Sequence, residues 1–233
     1  RLLKGTVRPT ELVDREGAFL LIEYIGAPFR MNEELAREMG RCLAAIHQTP
    51  SEELAYELLS SGHSHYWREN MDHRLMQEVE FAERNGHAPT ITRELRSAIR
   101  KLISLGRFPG SDVLGHGDPH IYNFVVAPGG EPRAVDWKDF GLSNRWYELA
   151  HLLHNMIAAH REIAVDEYQK RSGLSPKFAW ETSLEYGHAV DSVIRLGNIG
   201  RRPAGSMTTR LLLLERADII LGHLRRLLHR MGK

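Results

Sequence analysis

The chain has 233 residues and a single cysteine, Cys42. It therefore forms no internal disulfide and no thiolate zinc site, and such cysteine usage points to a reducing, cytoplasmic compartment. Charge of one sign is equally scarce, with 31 Lys and Arg against 30 Asp and Glu and a net charge of +1. A field that weak draws in neither nucleic acid nor an anionic membrane, so neither partner is expected. Long apolar runs are missing too. The four leucines at 211–214 are closed by Glu215 and Arg216, and no apolar run exceeds five residues, far short of the about 20 residues a bilayer span needs. There is no repeat or low-complexity tract. No basic segment with an apolar stretch and cleavage site marks a secretory signal, and the opening at Arg1 suggests a truncated or processed front.

What remains is a 42% hydrophobic chain, long enough for one large domain or two small ones at about 150 residues per domain. Residues 7–13 and 18–25 read as two strands joined by a turn at residues 14–17, a hairpin with one strongly apolar strand. Asn32 is placed to cap a helix, with Glu33 and Glu34 in its first turn and Leu35, Met39, Cys42, Leu43 and Ile46 on one face. Cys42 then reads as a small buried hydrophobe rather than a reactive thiol. Residues 51–105 read as helical throughout, with breaks at Gly62 and at 86–89. His63, His65 and His73 gather there without the acidic partners of a zinc motif. After residue 142 the pattern is helical again, at 146–157, around 165–172, at 177–196 and at about 207–228.

The informative stretch is residues 115–141, where His116, Asp118, Asn123 and Asp136 cluster around short strands. Asp118 lies at a strand-to-loop junction and Asn123 follows after four intervening residues, so one loop can return both side chains to a point. Asp136 ends the second strand of a hairpin turning at Pro128, Gly129 and Gly130, which brings it back beside that loop. One carboxylate, one amide carbonyl and a second aspartate suit Mg²⁺, which takes few protein ligands and leaves positions open for phosphate oxygens and water. The set reads as a phosphoryl-transfer site. Asp118 would accept the proton of an attacking hydroxyl, Asn123 and Asp136 would hold the metal, and His116 would orient the loop.

The H-G-D-x-x-x-x-N loop at 116–123, followed by V-D-W at 135–137, resembles the aminoglycoside phosphotransferase and choline kinase family, relatives of the protein kinases. The resemblance covers most of the chain. It implies an α+β, protein-kinase-like fold, with residues 1–28 a remnant of the small lobe and hinge and 29–233 the catalytic and substrate-binding lobe. It also implies Asp118 as base, Asn123 and Asp136 as magnesium ligands, ATP as co-substrate with GTP open beside it, and a small hydroxylated acceptor, antibiotic or metabolite. Residues 19–26 resemble the last small-lobe strand and hinge, so main-chain groups of Glu23, Tyr24 and Ile25 would bind the adenine. The segment ending Leu43-Ala44-Ala45-Ile46-His47 is similar to the helix that opens the large lobe. In Trp146-Tyr147-Glu148-Leu149-Ala150, glutamate stands where the family usually has aspartate, keeping the charge. Asp139-Phe140-Gly141 imitates a protein-kinase tripeptide, but it lies past the end of the apolar strand, so Asp136 is preferred as the metal ligand. The phosphate loop, strand lysine and partner glutamate of complete members are not found ahead of residue 7. By the same resemblance, most of the small lobe is absent from this chain.

Two other readings stand beside this one. His116, Asp118 and His120 form H-x-D-x-H, which could serve a zinc or two-metal hydrolase, although His151 and His154 fit a packed or solvated helix as easily as a ligand role. A non-catalytic pseudokinase would bind nucleotide or metabolite without transfer. For the acceptor, Glu148, Glu181, Glu185 and Asp191 fall in the right region but read better as solvated helix faces. The isoelectric point of about 8.1 tilts away from a strongly cationic substrate.

Overall fold

The structure is a computed structural model and describes residues 9–14, 17–22, 31–49, 75–77, 80, 93–94, 96–97, 100–101, 113–126, 132–174, 180–200 and 207–231. The hinge residues Glu23, Tyr24 and Ile25, most of the helical stretch 51–105 with His63, His65 and His73, and the turn at 128–130 lie outside them.

Strands β1 (Pro9–Asp14) and β2 (Gly17–Ile22) form the antiparallel hairpin expected from the sequence, with Asp14 opposite Gly17. Helix α1 (Glu33–His47) starts where Asn32 accepts the Leu35 N–H at 2.9 Å. Two acidic residues in its first turn face the positive end of the helix dipole. Its buried face carries Leu35, Met39, Leu43 and Ile46. Cys42 packs beside that core, and burial pushes its thiol up to about 11, as expected of an inert cysteine.

Among the described residues six short strands make three two-stranded sheets. β3 (Val113–Gly115) pairs antiparallel with β6 (Gly141–Ser143), and β4 (Phe124–Val126) pairs with β5 (Pro132–Ala134). A single 3₁₀ turn (Ile121–Asn123) precedes β4 and another (Trp137–Asp139) follows β5. The β4–β5 hairpin was expected. β6 was not, because it is three residues long and its partner lies at Val113–Gly115, far upstream.

Helix α2 (Arg145–Leu153) is capped by Asn144, which accepts from the N–H groups of Trp146 and Tyr147 at 3.0 and 3.1 Å. It stops four residues before the predicted end at 157. His154 and Met156 donate to His151 and Leu153, three residues back, so the chain turns out of the helix. Met156 still reaches the core while Ile157 is exposed, and that mixture imitated a continuing helix. α3 (Ala158–Ser172) begins earlier than predicted because its first turns carry the exposed Arg161 and Glu162 and show no apolar stripe. α4 (Trp180–Gly200) and α5 (Met207–Met231) follow.

The core lies between α1, α2, α3 and the β4–β5 hairpin, around Met39, Leu43, Phe124, Leu149, Leu152 and Tyr168. α4 crosses α2 at close range: a Cβ on Gly187 would come within 2.1 Å of the Trp146 carbonyl oxygen. Only glycine permits that approach, and it sets α4 directly beside the face of α2 that carries the site. Among the described residues no helix is long and apolar enough to cross a membrane.

Candidate active site

The loop from β3 to the first 3₁₀ turn is held by backbone bonds from His120 N to the Asp118 carbonyl (2.9 Å) and from Asn123 N to the His120 carbonyl (2.8 Å). These close it so that the Asn123 amide nitrogen donates to the Asp118 carbonyl at 2.8 Å and stands 3.3 Å from its Oδ2. Asp118 and Asn123 thus meet as the spacing predicted. The Val135 N–H donates to the Asn123 carbonyl at 2.9 Å, which sets Asp136, the following residue, on the adjoining segment. Asp136 is exposed and left-handed (φ 61°, ψ 61°), the one non-glycine residue with positive φ among those described. Aspartate tolerates that conformation better than most side chains.

The donor set fits a hard cation. Both hydrogen bonds of the Asn123 side chain use its nitrogen, so its carbonyl oxygen is the atom left to ligate, and Asp136 adds an exposed carboxylate on the adjoining segment. A transition-metal site is not assembled: among the described residues no group of three or more His, Cys, Asp or Glu side chains is arranged to hold a metal ion. His116 is wholly buried against Trp137, ring centroids 4.5 Å apart. Its Nε2 lies 2.8 Å from the Val135 carbonyl and its Nδ1 3.4 Å from the Asp118 N–H. Both ring nitrogens serve backbone, and burial lowers its pKa. His116 therefore ties the loop to the Asp136 segment, and H-x-D-x-H does not close on a metal. His120 lies 3.5 Å from Asp118 Oδ2 and accepts from the Tyr122 N–H at 3.2 Å.

Two carboxylates expected on solvated faces are buried instead. Glu148 is 0% exposed, and its carboxylate accepts from the His116 and Gly117 N–H groups at 2.9 and 2.7 Å. Burial alone would raise its pKa, but the His47 ring at 3.3 Å and the two amides bring it below the usual carboxylate value. His47 in turn meets the Tyr168 hydroxyl at 2.7 Å. Asp191, 1% exposed, lies 2.7 Å from His151 Nδ1, 3.1 Å from His154 Nδ1 and 2.7 Å from Arg195 Nε. Burial opposes its charge, and these three partners nevertheless hold its carboxyl far below the usual range. Glu181 is exposed and Glu185 half-buried, 3.1 Å from Arg230.

His151 was read as a packed or solvated helix position, but its Nε2 lies 2.8 Å from Asp118 Oδ1. Burial works against its charge, yet the hydrogen bonds to Asp118 and Asp191 prevail and push its pKa up to about 9. The available sequence signal was the spacing of Glu148 and His151 along one face of α2 with His154 at its C-cap, and of Asp191 and Arg195 four apart on α4.

A mostly helical lobe that positions an aspartate, an asparagine and a second aspartate on a loop and short hairpin defines an α+β, protein-kinase-like fold. The chain belongs to the phosphotransferase enzyme family, whose model matches residues 8–186. Comparison with curated proteins returns no match. Among solved structures, the chain is similar to an ethanolamine kinase from Plasmodium vivax, at TM-score 0.63 and 12% identity over 93% of this chain and 66% of that one. It is also similar to a choline kinase from Cryptosporidium parvum, at TM-score 0.62 and 11% identity over 96% and 73% of the two chains. A third likeness is to an amicoumacin kinase in complex with AMP-PNP and Ca²⁺, at TM-score 0.61 and 17% identity over 94% and 73%. The chain thus spans roughly two thirds to three quarters of the length of these kinases.

Proposed function

We propose that this chain is the catalytic lobe of an ATP-dependent phosphotransferase that moves the γ-phosphoryl group to a hydroxyl of a small molecule. The observation that carries the reading is the approach of Asn123 to Asp118, 2.8 Å to its carbonyl and 3.3 Å to its carboxylate, with Asp136 on the adjoining segment. The acceptor oxygen attacks the γ-phosphorus and forms a new O–P bond. The bridging P–O bond breaks with its electron pair leaving on ADP, and the hydroxyl proton passes to the Asp118 carboxylate. Asn123 and Asp136 would hold Mg²⁺, which supplies charge neutralisation on the nucleotide phosphates when bound. His116 and Glu148 keep the loop in register, and the main chain at Glu23, Tyr24 and Ile25 would take the adenine. GTP is the competing nucleotide, and the acceptor class spans antibiotics and small metabolites. The compartment that fits such a reaction and this cysteine usage is the cytoplasm.

The test is Mg²⁺-dependent ATP turnover by the full-length protein against a panel of amino alcohols, sugars and hydroxylated antibiotics. Asp118→Asn is expected to lower kcat by about 10²- to 10⁴-fold, with ATP affinity within about twofold of wild type. ATP binding that saturates without phosphate transfer to any acceptor would favour the pseudokinase reading. Full turnover by Asp118→Asn would remove Asp118 as base.

A further inference from the structure

A run of partnered groups leads away from the candidate base. Asp118 Oδ1 meets His151 Nε2 at 2.8 Å, and His151 Nδ1 meets Asp191 Oδ1 at 2.7 Å. Asp191 Oδ2 is then held by Arg195 Nε at 2.7 Å and His154 Nδ1 at 3.1 Å. The first link joins the catalytic loop to α2, and the second joins α2 to α4.

We propose that His151 is a positioning residue for phosphoryl transfer: by bridging Asp118 and Asp191 it fixes the rotation of the Asp118 carboxylate, leaving Oδ2 as the oxygen that meets the acceptor hydroxyl. The inference rests on the reading of Asp118 as the base. With Oδ1 turned to His151, Oδ2 is the oxygen that lies toward Asn123 and His120, at 3.3 and 3.5 Å. The Asp118 side chain is 27% exposed, whereas His151 at 10% and Asp191 at 1% are set more firmly in the protein. A buried imidazole anchored at its far nitrogen is therefore the part that can fix a partly solvated carboxylate. The cation also makes Asp118 a weaker base. Phosphoryl transfer through a loose transition state tolerates that, because alignment of the hydroxyl matters more there than proton affinity.

The groups facing His151 are Asp118 from the loop, Asp191 and Arg195 from α4, His120, whose ring centroid lies 6.0 Å away, and Tyr147 at 5.6 Å on its own helix. The bridge carries a proton on each ring nitrogen until the pH reaches about 9. Loss of one proton ends one of the two hydrogen bonds.

The experiment compares wild type, His151→Phe and Asp191→Asn in the full-length protein, with an acceptor lacking an amine so that only the enzyme titrates. His151→Phe keeps a ring and removes both hydrogen bonds. It should lose about a hundredfold in kcat with KM for ATP unchanged. Asp191→Asn should move the alkaline limb of the wild-type kcat profile, expected near pH 9, to lower pH. A role in stability alone would lower the melting temperature and leave that limb in place. If His151→Phe does not fold, Asp191→Asn and NMR titration of the His151 ring carry the test, and a wild-type midpoint below pH 7 overturns the bridge. A folded His151→Phe with kcat within twofold of wild type overturns the positioning role alone. A wild-type protein that phosphorylates no acceptor overturns the phosphotransferase reading, and the positioning role falls with it.

Discussion

Glu148 holds Gly117: one carboxylate oxygen accepts the Gly117 N–H at 2.7 Å while the other accepts the His116 N–H at 2.9 Å. A fully buried carboxylate on α2 thereby fixes two consecutive peptides immediately before Asp118. Gly115 makes room for it, since a Cβ there would come within 2.4 Å of Glu148 Oε1. The geometry of the candidate base is set by a helix 31 residues downstream of the loop, not by the loop alone.

Replacing Glu148 should therefore affect stability and activity together. Glu148→Gln retains one acceptor oxygen but turns an NH₂ group toward a backbone N–H, so one buried donor goes unpaired. The expected loss is about 1–3 kcal/mol of unfolding free energy, with kcat falling because the Asp118 backbone is released. Glu148→Asp keeps the charge, and its deficit should be smaller than that of Glu148→Gln in both readouts. Urea unfolding and steady-state turnover of the two variants check the order.

Gly117→Ala addresses the other side of the loop. Gly117 sits at φ 88°, and an added Cβ would come within 1.9 Å of the Asp139 carbonyl oxygen. Backbone meets backbone there, so no side-chain rotation relieves the clash, and the left-handed conformation adds its own strain. We expect a loss of at least about 2 kcal/mol, seen as a lower urea midpoint at unchanged slope. A variant as stable as wild type would show that the loop can move away from Asp139 at little cost.

How far the sequence reveals this site depends on chain separation. Asp118, Asn123 and Asp136 were legible because a tight loop and one hairpin bring them together, and turn residues and strand patterns report such local geometry. His151 and Asp191 were not, because they meet Asp118 and each other across 33 and 40 residues of intervening chain. A carboxylate on a helix normally reads as solvated, and that expectation failed for Glu148 and Asp191 because amides, histidines and an arginine satisfy them inside. Asn32 and the apolar stripe of α1 were readable from one turn of sequence. β6 was not, being too short to show a pattern without its partner β3.

Asp136→Asn separates fold from cation binding. Asparagine is at ease in the left-handed region that Asp136 occupies, at φ 61°. Stability should stay within about 0.5 kcal/mol of wild type. Loss of the carboxylate should weaken Mg²⁺-dependent nucleotide binding by about tenfold to a hundredfold, measurable by calorimetry with and without the cation. Unchanged Mg²⁺-dependent affinity would instead direct attention to Asp139.

Stability should peak near pH 6.5, because two histidines with opposite shifts, the half-buried His188 and the buried His151, act on either side of it. Burial lowers His188 to about 4, so the unfolded chain takes up a proton below 6.5 that the folded chain refuses, and stability falls as the pH drops from 6.5 toward 4. His116, His120 and His223, also lowered by burial, act in the same direction. His151 is the reverse case. Its folded pKa of about 9 exceeds the ordinary 6.5, so its contribution is complete below 6.5 and is lost as the pH rises through 9. That contribution is on the order of 3 kcal/mol. Glu148 and Asp191, whose folded pKa values are depressed, add a further loss only below their ordinary values of 4.5 and 3.8. Urea unfolding from pH 4 to 10 should thus give a maximum near 6.5. His188→Gln should flatten the acid side and Asp191→Asn the alkaline side. An alkaline side unchanged in Asp191→Asn would mean that the charge on His151 does not depend on its buried partner.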